Sequence, residues 1–288
     1  MPKFQKVTLN QTNVNIYIDI LKKMKQPFTI EISNYTTKII SKSYNIHFLK
    51  TEQSNRVFAA AAKIKNDLKG IEIPDLDMSR NKYYDTCFKG SGFYTDKVWN
   101  IDIKSAYSSI LKNAGYISEE TSLYIEKLPK LERLAALGML ASKKEIYVHS
   151  ASGAVIKMED RINPLSNFFF YCVQETEKII QMCVNQILYD AFLFSWVDGI
   201  YYLNHNPEYH ILTQQYLKRE FNLDSTFQQL TNFEVTLKKE FYNISFIDQK
   251  TRPKIFNIPI PETELKKKII AHLLNKQYDT KPNQKHKH

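Results

Sequence analysis

The alternation of apolar and polar positions divides the chain into short blocks. Residues 14–25 (VNIYIDILKKMK) place apolar side chains at helical spacing, while residues 28–32 and 37–49 read as strands joined by a turn at Ser33, Asn34 and Tyr35. Residues 56–68 (RVFAAAAKIKNDL) predict a helix stopped by Gly70. Together these blocks predict a small α+β unit over residues 1–80, and the polar, proline-containing stretch IEIPDLDMSRNKYY marks its boundary. Residues 98–111 (VWNIDIKSAYSSIL) then run as an apolar strand into a helix, with Ser105 as the capping residue and Ile110 and Leu111 facing inward. Residues 192–203 (FLFSWVDGIYYL) predict two strands meeting at a tight turn that Gly199 permits. A long helix is expected over 167–187, a strand at FEVTL, and a last helix with a basic face over 262–276, before a polar, basic tail.

Composition narrows the class. A 43% share of hydrophobic residues is enough for a core, and no run of 18 or more apolar residues suggests a membrane span. The first residues, MPKFQKVTLNQTNVNIY, lack the apolar stretch of a secretion signal. Three cysteines without C-x-x-C spacing exclude a disulfide framework and a cysteine-rich zinc site, and they fit a reducing, cytoplasmic setting. Lys and Arg total 40 against 30 Asp and Glu, a net charge of +10, so polyanions are the expected partners. The scattered histidines show no ligand spacing and read as structural.

Two acids stand out. Asp102 lies where a strand hands over to a helix, a place where a metal-binding carboxylate is held rigidly and helix N–H groups can meet phosphates. Asp198 lies between two apolar strands, amid Phe, Trp, Ile and Tyr, where burying a charge is costly unless a cation pairs with it. Plainer readings stand beside these: Asp102 as a helix cap, and Asp198 as ordinary turn chemistry.

Set side by side, the two segments resemble the family B DNA polymerases. The first palm motif of that family, D-x-x-S-x-Y-P-S-x-I, stands here as Asp102, Ser105, Tyr107, Ser109 and Ile110, with Ser108 replacing the proline. The third, Y-G-D-T-D-S, stands as Phe194 to Tyr201, with Asp198 at the second acid and Trp196 at the first. Phe88-Lys89-Gly90-Ser91-Gly92 resembles the template-contacting Y-x-G-G stretch. Lys130 to Gly138 has the frame of the fingers motif, with Leu134 and Leu137 in place of its Asn and Tyr. Lys238, Lys239 and Tyr242 resemble the K-x-Y signature that grips a primer terminus. The likeness spans about residues 88–250, in the family's order.

The resemblance implies an α+β fold: a polymerase palm-like antiparallel sheet backed by helices, over residues 81–260, with short fingers at 112–145 and a thumb remnant at 261–288. The acids are only 96 positions apart and about a hundred residues precede Asp102, so reduced fingers and no exonuclease domain are expected. By resemblance, Asp102, Asp198 and the carbonyl of Ile103 hold two Mg²⁺ or Mn²⁺ ions. Ser105, Tyr107, Lys130 and Arg133 bind a nucleoside triphosphate, and Lys89, Gly90, Gly92, Lys238, Lys239 and Tyr242 bind DNA template and primer. The implied activity is template-directed nucleotidyl transfer by a DNA polymerase or primase of a phage or mobile element. A replication partner protein could supply what the thumb lacks. Two alternatives remain: a degenerate palm that binds nucleic acid at replication initiation without catalysis, and a basic DNA-binding regulator of another kind.

Overall fold

The computed structural model describes residues 3–8, 11–33, 36–49, 55–72, 76, 84–88, 92–94, 97–238, 241–250 and 252–260. The chain is α+β and divides into two compact units, each assembled from separated segments. One unit draws on Met1–Lys82, Lys104–Lys178 and Phe221–Leu223, the other on Tyr83–Ile103, Ile179–Glu220 and Asp224–His288. The expected helix at 262–276 lies outside the described residues. Among those described, no helix is long and apolar enough to cross a membrane.

The first unit holds a six-stranded sheet in the order β1 (Lys3–Thr8), β4 (Tyr44–Leu49), β3 (Thr36–Ser41), β2 (Phe28–Ser33), β8 (Lys143–His149), β9 (Val155–Ile162). β1 and β4 are parallel, and the other neighbours are antiparallel. Residues 37–49, expected as one strand, are two, because Lys42 and Ser43 turn the chain and the Ser41 hydroxyl accepts from the Ser43 and Tyr44 N–H groups. The expected N-terminal unit is therefore not self-contained: β2 takes β8 as its partner, with Phe28 opposite His149, and residues 143–162 complete its sheet. Helix α1 (Gln11–Lys23) contributes Val14 and Leu21 to a core with Phe28, Ile39, Ile46 and Phe48. Helix α2 (Asn55–Asp67) buries Val57, Ala60, Ala61 and Ile64 and ends before Gly70, whose φ of +81° suits glycine. The same unit contains α3 (Ala106–Asn113), α4 (Glu119–Glu126) and α5 (Lys130–Gly138). The segment expected as fingers thus belongs with the N-terminal strands.

The second unit is an antiparallel sheet in the order β14 (Pro253–Pro259), β13 (Phe241–Ile247), β12 (Ser225–Leu237), β7 (Val98–Ile103), β11 (Gly199–Leu203), β10 (Phe192–Trp196), β5 (Tyr84–Thr86), with β6 (Gly92–Tyr94) also on β12. β12 slips register between Thr231 and Glu234, where Asn232 takes φ +53°. Its first half pairs with β7 and its second with β13 and β6. Val98, Phe194, Tyr201, Leu230, Phe233, Tyr242 and Phe246 share one aromatic-rich core. On the opposite face Trp99 stacks on His210, from α7 (Tyr209–Phe221), and on Phe227. Helix α6 (Ser166–Cys183) matches the helix expected at 167–187, although its last turn, Val184–Leu188, relaxes to a π-helix.

Candidate metal centre

Strand pairing brings Asp102 and Asp198 together in the second unit. In β7 the residues alternate, so Val98, Asn100 and Asp102 share one face. Register across the sheet then lines up Thr226, Asp102, Gly199, Trp196 and Tyr84 as one rung of five strands, β12, β7, β11, β10 and β5. Asp198 is in the two-residue turn between β10 and β11, next to that rung, and its carbonyl accepts a hydrogen bond from the Ile103 N–H at 3.0 Å. Both acids are half-buried. Each also acts on the same third group: the Tyr201 hydroxyl is held above its ordinary pKa first by burial, then by the charges of Asp102 and Asp198. Ninety-six positions of chain are closed by two strand pairings.

The turn differs from expectation in where its conformational cost lies. Gly199 is the first residue of β11, and the left-handed position belongs to Val197, at φ +55°. A β-branched residue is unfavourable there, so the flanking pairing of Trp196 with Gly199 must hold it. What Gly199 permits is close packing of its neighbours. A Cβ there would meet Asn100 Nδ2 at 3.1 Å, Tyr201 Cε2 at 3.2 Å and the Trp196 carbonyl at 3.4 Å.

Two residues of the site went unread in the sequence. Asn100 is buried one pleat from Asp102, and its Oδ1 accepts from Gln228 Nε2 at 3.3 Å. The signal was local: in V-W-N-I-D-I the polar residues alternate, which puts Asn100 and Asp102 on one face of an otherwise apolar strand. Gln228 sits opposite Asn100 across β12 and carried no such signal. Trp196 stacks on Tyr84 with ring centres 6.2 Å apart and lies 5.3 Å from the Phe256 ring, making an aromatic wall on the acids' rung.

The other predicted residues are placed variously. Ile103 ends β7 with its side chain fully buried. Ser105, Tyr107, Lys130 and Arg133 belong to the first unit. Ser105 precedes α3 in a left-handed conformation (φ 49°), which turns its hydroxyl from the expected role: it makes no side-chain capping bond. Ile110 and Leu111 do face inward. Tyr107 packs edge-on against Phe169 at 5.3 Å. Lys130 is exposed at the start of α5, while Arg133 donates to the Glu126 carbonyl at the end of α4, which ties one helix to the other.

Lys238 is exposed beside the β12–β13 connection, its N–H donating to the Phe241 carbonyl. Gly92 is in β6, paired with Val235. Tyr242, expected at a primer terminus, is fully buried, and its hydroxyl donates to the Phe88 carbonyl at 2.7 Å. Lys89, Gly90 and Lys239 lie outside the described residues.

The donor set fits a magnesium-class ion. Carboxylate oxygens are hard ligands, and Asp102 at the end of β7 stands beside the turn that carries Asp198. Among the described residues no group of three or more His, Cys, Asp and Glu side chains converges. Magnesium retains waters and is commonly bound by one or two carboxylates together with substrate phosphates. No family model and no curated protein matches this chain.

Proposed function

We propose that the second unit is a polymerase-type palm and that the protein is a metal-dependent nucleotidyltransferase acting on DNA, as a polymerase or a primase. One observation carries the reading: Gly199 pairs with Asp102, and the Asp198 carbonyl bonds the Ile103 N–H, so two acids far apart in sequence share one strand-end site. In this reading Asp102 and Asp198 hold the ions, and the Ile103 carbonyl is the third candidate ligand. When bound, two such ions supply charge neutralisation of a triphosphate and activation of a 3′-hydroxyl. Asn100 and Gln228 buttress the strand that carries Asp102. Gly199, paired with Asp102, lets Asn100 and the Tyr201 ring pack closely on that strand pair. The partly buried rings of Trp196 and Tyr84 stack on each other along the same rung.

Purified full-length protein with Mg²⁺ or Mn²⁺, a single-stranded template and dNTPs or NTPs, with and without primer, tests the reading. Product is expected with the wild type, and a loss of at least about a hundredfold is expected for both Asp102→Asn and Asp198→Asn. Product without primer assigns priming. Product that persists in both variants contradicts the proposal. Trp196, where the family carries a further carboxylate, favours a second reading: a nucleic-acid-binding replication initiation protein without catalysis. That reading expects DNA binding with no product in any divalent ion.

A further inference from the structure

The first unit contains a cavity of about 400 Å³, within the range of small-molecule sites. It opens between α2 and the polar face of the six-stranded sheet. The helix presents Phe58, Ala61, Ala62 and Lys65 to it, positions i, i+3, i+4 and i+7 of one face. Two of these four side chains, Ala61 and Ala62, are short, which leaves room on this face of the helix.

Three ammonium groups line this cavity from three elements: Lys38 on β3, Lys65 on α2 and Lys144 on β8. His47, opposite Lys38 on β4, and the Ser142 hydroxyl add polar walls. Glu31, also opposite Lys38, pairs with Lys144 at 3.4 Å. Among the described residues no carboxylate is within ion-pair distance of Lys38 or Lys65. Lys65 shows the consequence. Much of its side chain is open to solvent, yet its pKa is lowered, first by desolvation of the ammonium and then by the charges of Lys144 and Lys38. Like charges gathered around a cavity cost stability unless an anion enters it.

We infer that this cavity is a binding site for a phosphate-bearing ligand of mononucleotide size, with Lys38, Lys65 and Lys144 on the phosphate and Phe58 and Met139 on its apolar part. The inference stands on residues of the first unit alone and does not depend on the acid pair. The phosphate can come from a free nucleotide or from the 5′ end of a strand.

Calorimetric titration of the full chain in EDTA separates this site from any metal-dependent one. The probes are ADP, adenosine, and a tetranucleotide with and without a 5′-phosphate. Binding of ADP but not adenosine assigns a free nucleotide, and binding of the 5′-phosphorylated tetranucleotide but not its 5′-hydroxyl form assigns a strand end. In either case Lys38→Gln and Lys65→Gln are expected to weaken binding at least about tenfold each. Lys157→Gln, at a surface ion pair on β9, is expected to change nothing. Without ligand, Lys65→Gln is expected to melt at or above the wild-type temperature, because it relieves repulsion, so lost binding is not lost folding. Binding undiminished in both lysine variants, or no binding of either phosphorylated probe, overturns the inference.

Discussion

Gly199 and Tyr242 show how single side chains decide what the site can be. Alanine at 199 would press on Asn100 and Tyr201, both buried and held by their own contacts. The overpacking cost of about 1–3 kcal/mol outweighs the gain of about 0.4–1 kcal/mol from a less flexible unfolded chain. Gly199→Ala is therefore expected to lower stability by about 1 kcal/mol in urea denaturation; an unchanged or higher midpoint would show that the packing there does not require glycine. Tyr242→Phe removes a buried hydroxyl and its bond to the Phe88 carbonyl, at a cost of about 1–3 kcal/mol. The expected result is a less stable protein whose apparent affinity for primer is unchanged. A raised KM for primer at full stability would instead restore the primer-gripping role. The core position of Tyr242 was legible: in F-Y-N-I-S-F-I the alternation puts Tyr242 with Ile244 and Phe246, all buried. Spacing to a lysine suggested function, but the two-residue period of the strand decided the outcome.

At the scale of elements, the hairpin β10–β11 and the strand β7 were readable because their apolar runs are dense and bounded by turn residues. The partnership of β2 with β8 was not, since pairing between strands more than a hundred residues apart leaves no mark on either local pattern. β9, exposed along nearly its whole length, has too little burial to impose an alternation.

The hairpin's other end has its own clamp. Asp190, just before β10, accepts from the Tyr209 hydroxyl at 2.8 Å and faces His205 Nε2 at 3.0 Å. The bond from Tyr209, then that from His205, holds the Asp190 carboxyl below its ordinary value of 3.8. A depressed carboxylate pKa gives stability that is present above the unfolded-state value and lost as pH falls through the folded one. Asp190→Asn is accordingly expected to lower the melting temperature near neutrality and to narrow its gap from the wild type as pH falls from about 5 to about 2. A gap that stays constant over that range would show that the carboxylate charge is not what the clamp uses.

At the scale of the whole molecule, a net charge of +10 pointed to polyanionic partners but to no position in the chain. The structure divides the chemistry between two units: an acid pair in one, a lysine-lined cavity in the other. Neither assembly was visible as a motif in one segment, because each joins residues from distant parts of the chain. Each acid still stood out locally in the sequence, Asp102 inside an apolar strand and Asp198 in the turn between two such strands. The lysines of the cavity are ordinary members of polar strand faces and a helix, and only folding gathers them.

The central claim is that Asp102 and Asp198 form one divalent-ion site. Electron paramagnetic resonance of Mn²⁺ titrated into the full-length protein measures that directly, with wild type, Asp102→Asn, Asp198→Asn and the double variant compared. The account predicts bound Mn²⁺ in the wild type and its loss in either single variant, with the double variant no worse than each alone. Equal Mn²⁺ binding by the wild type and the double variant would contradict it.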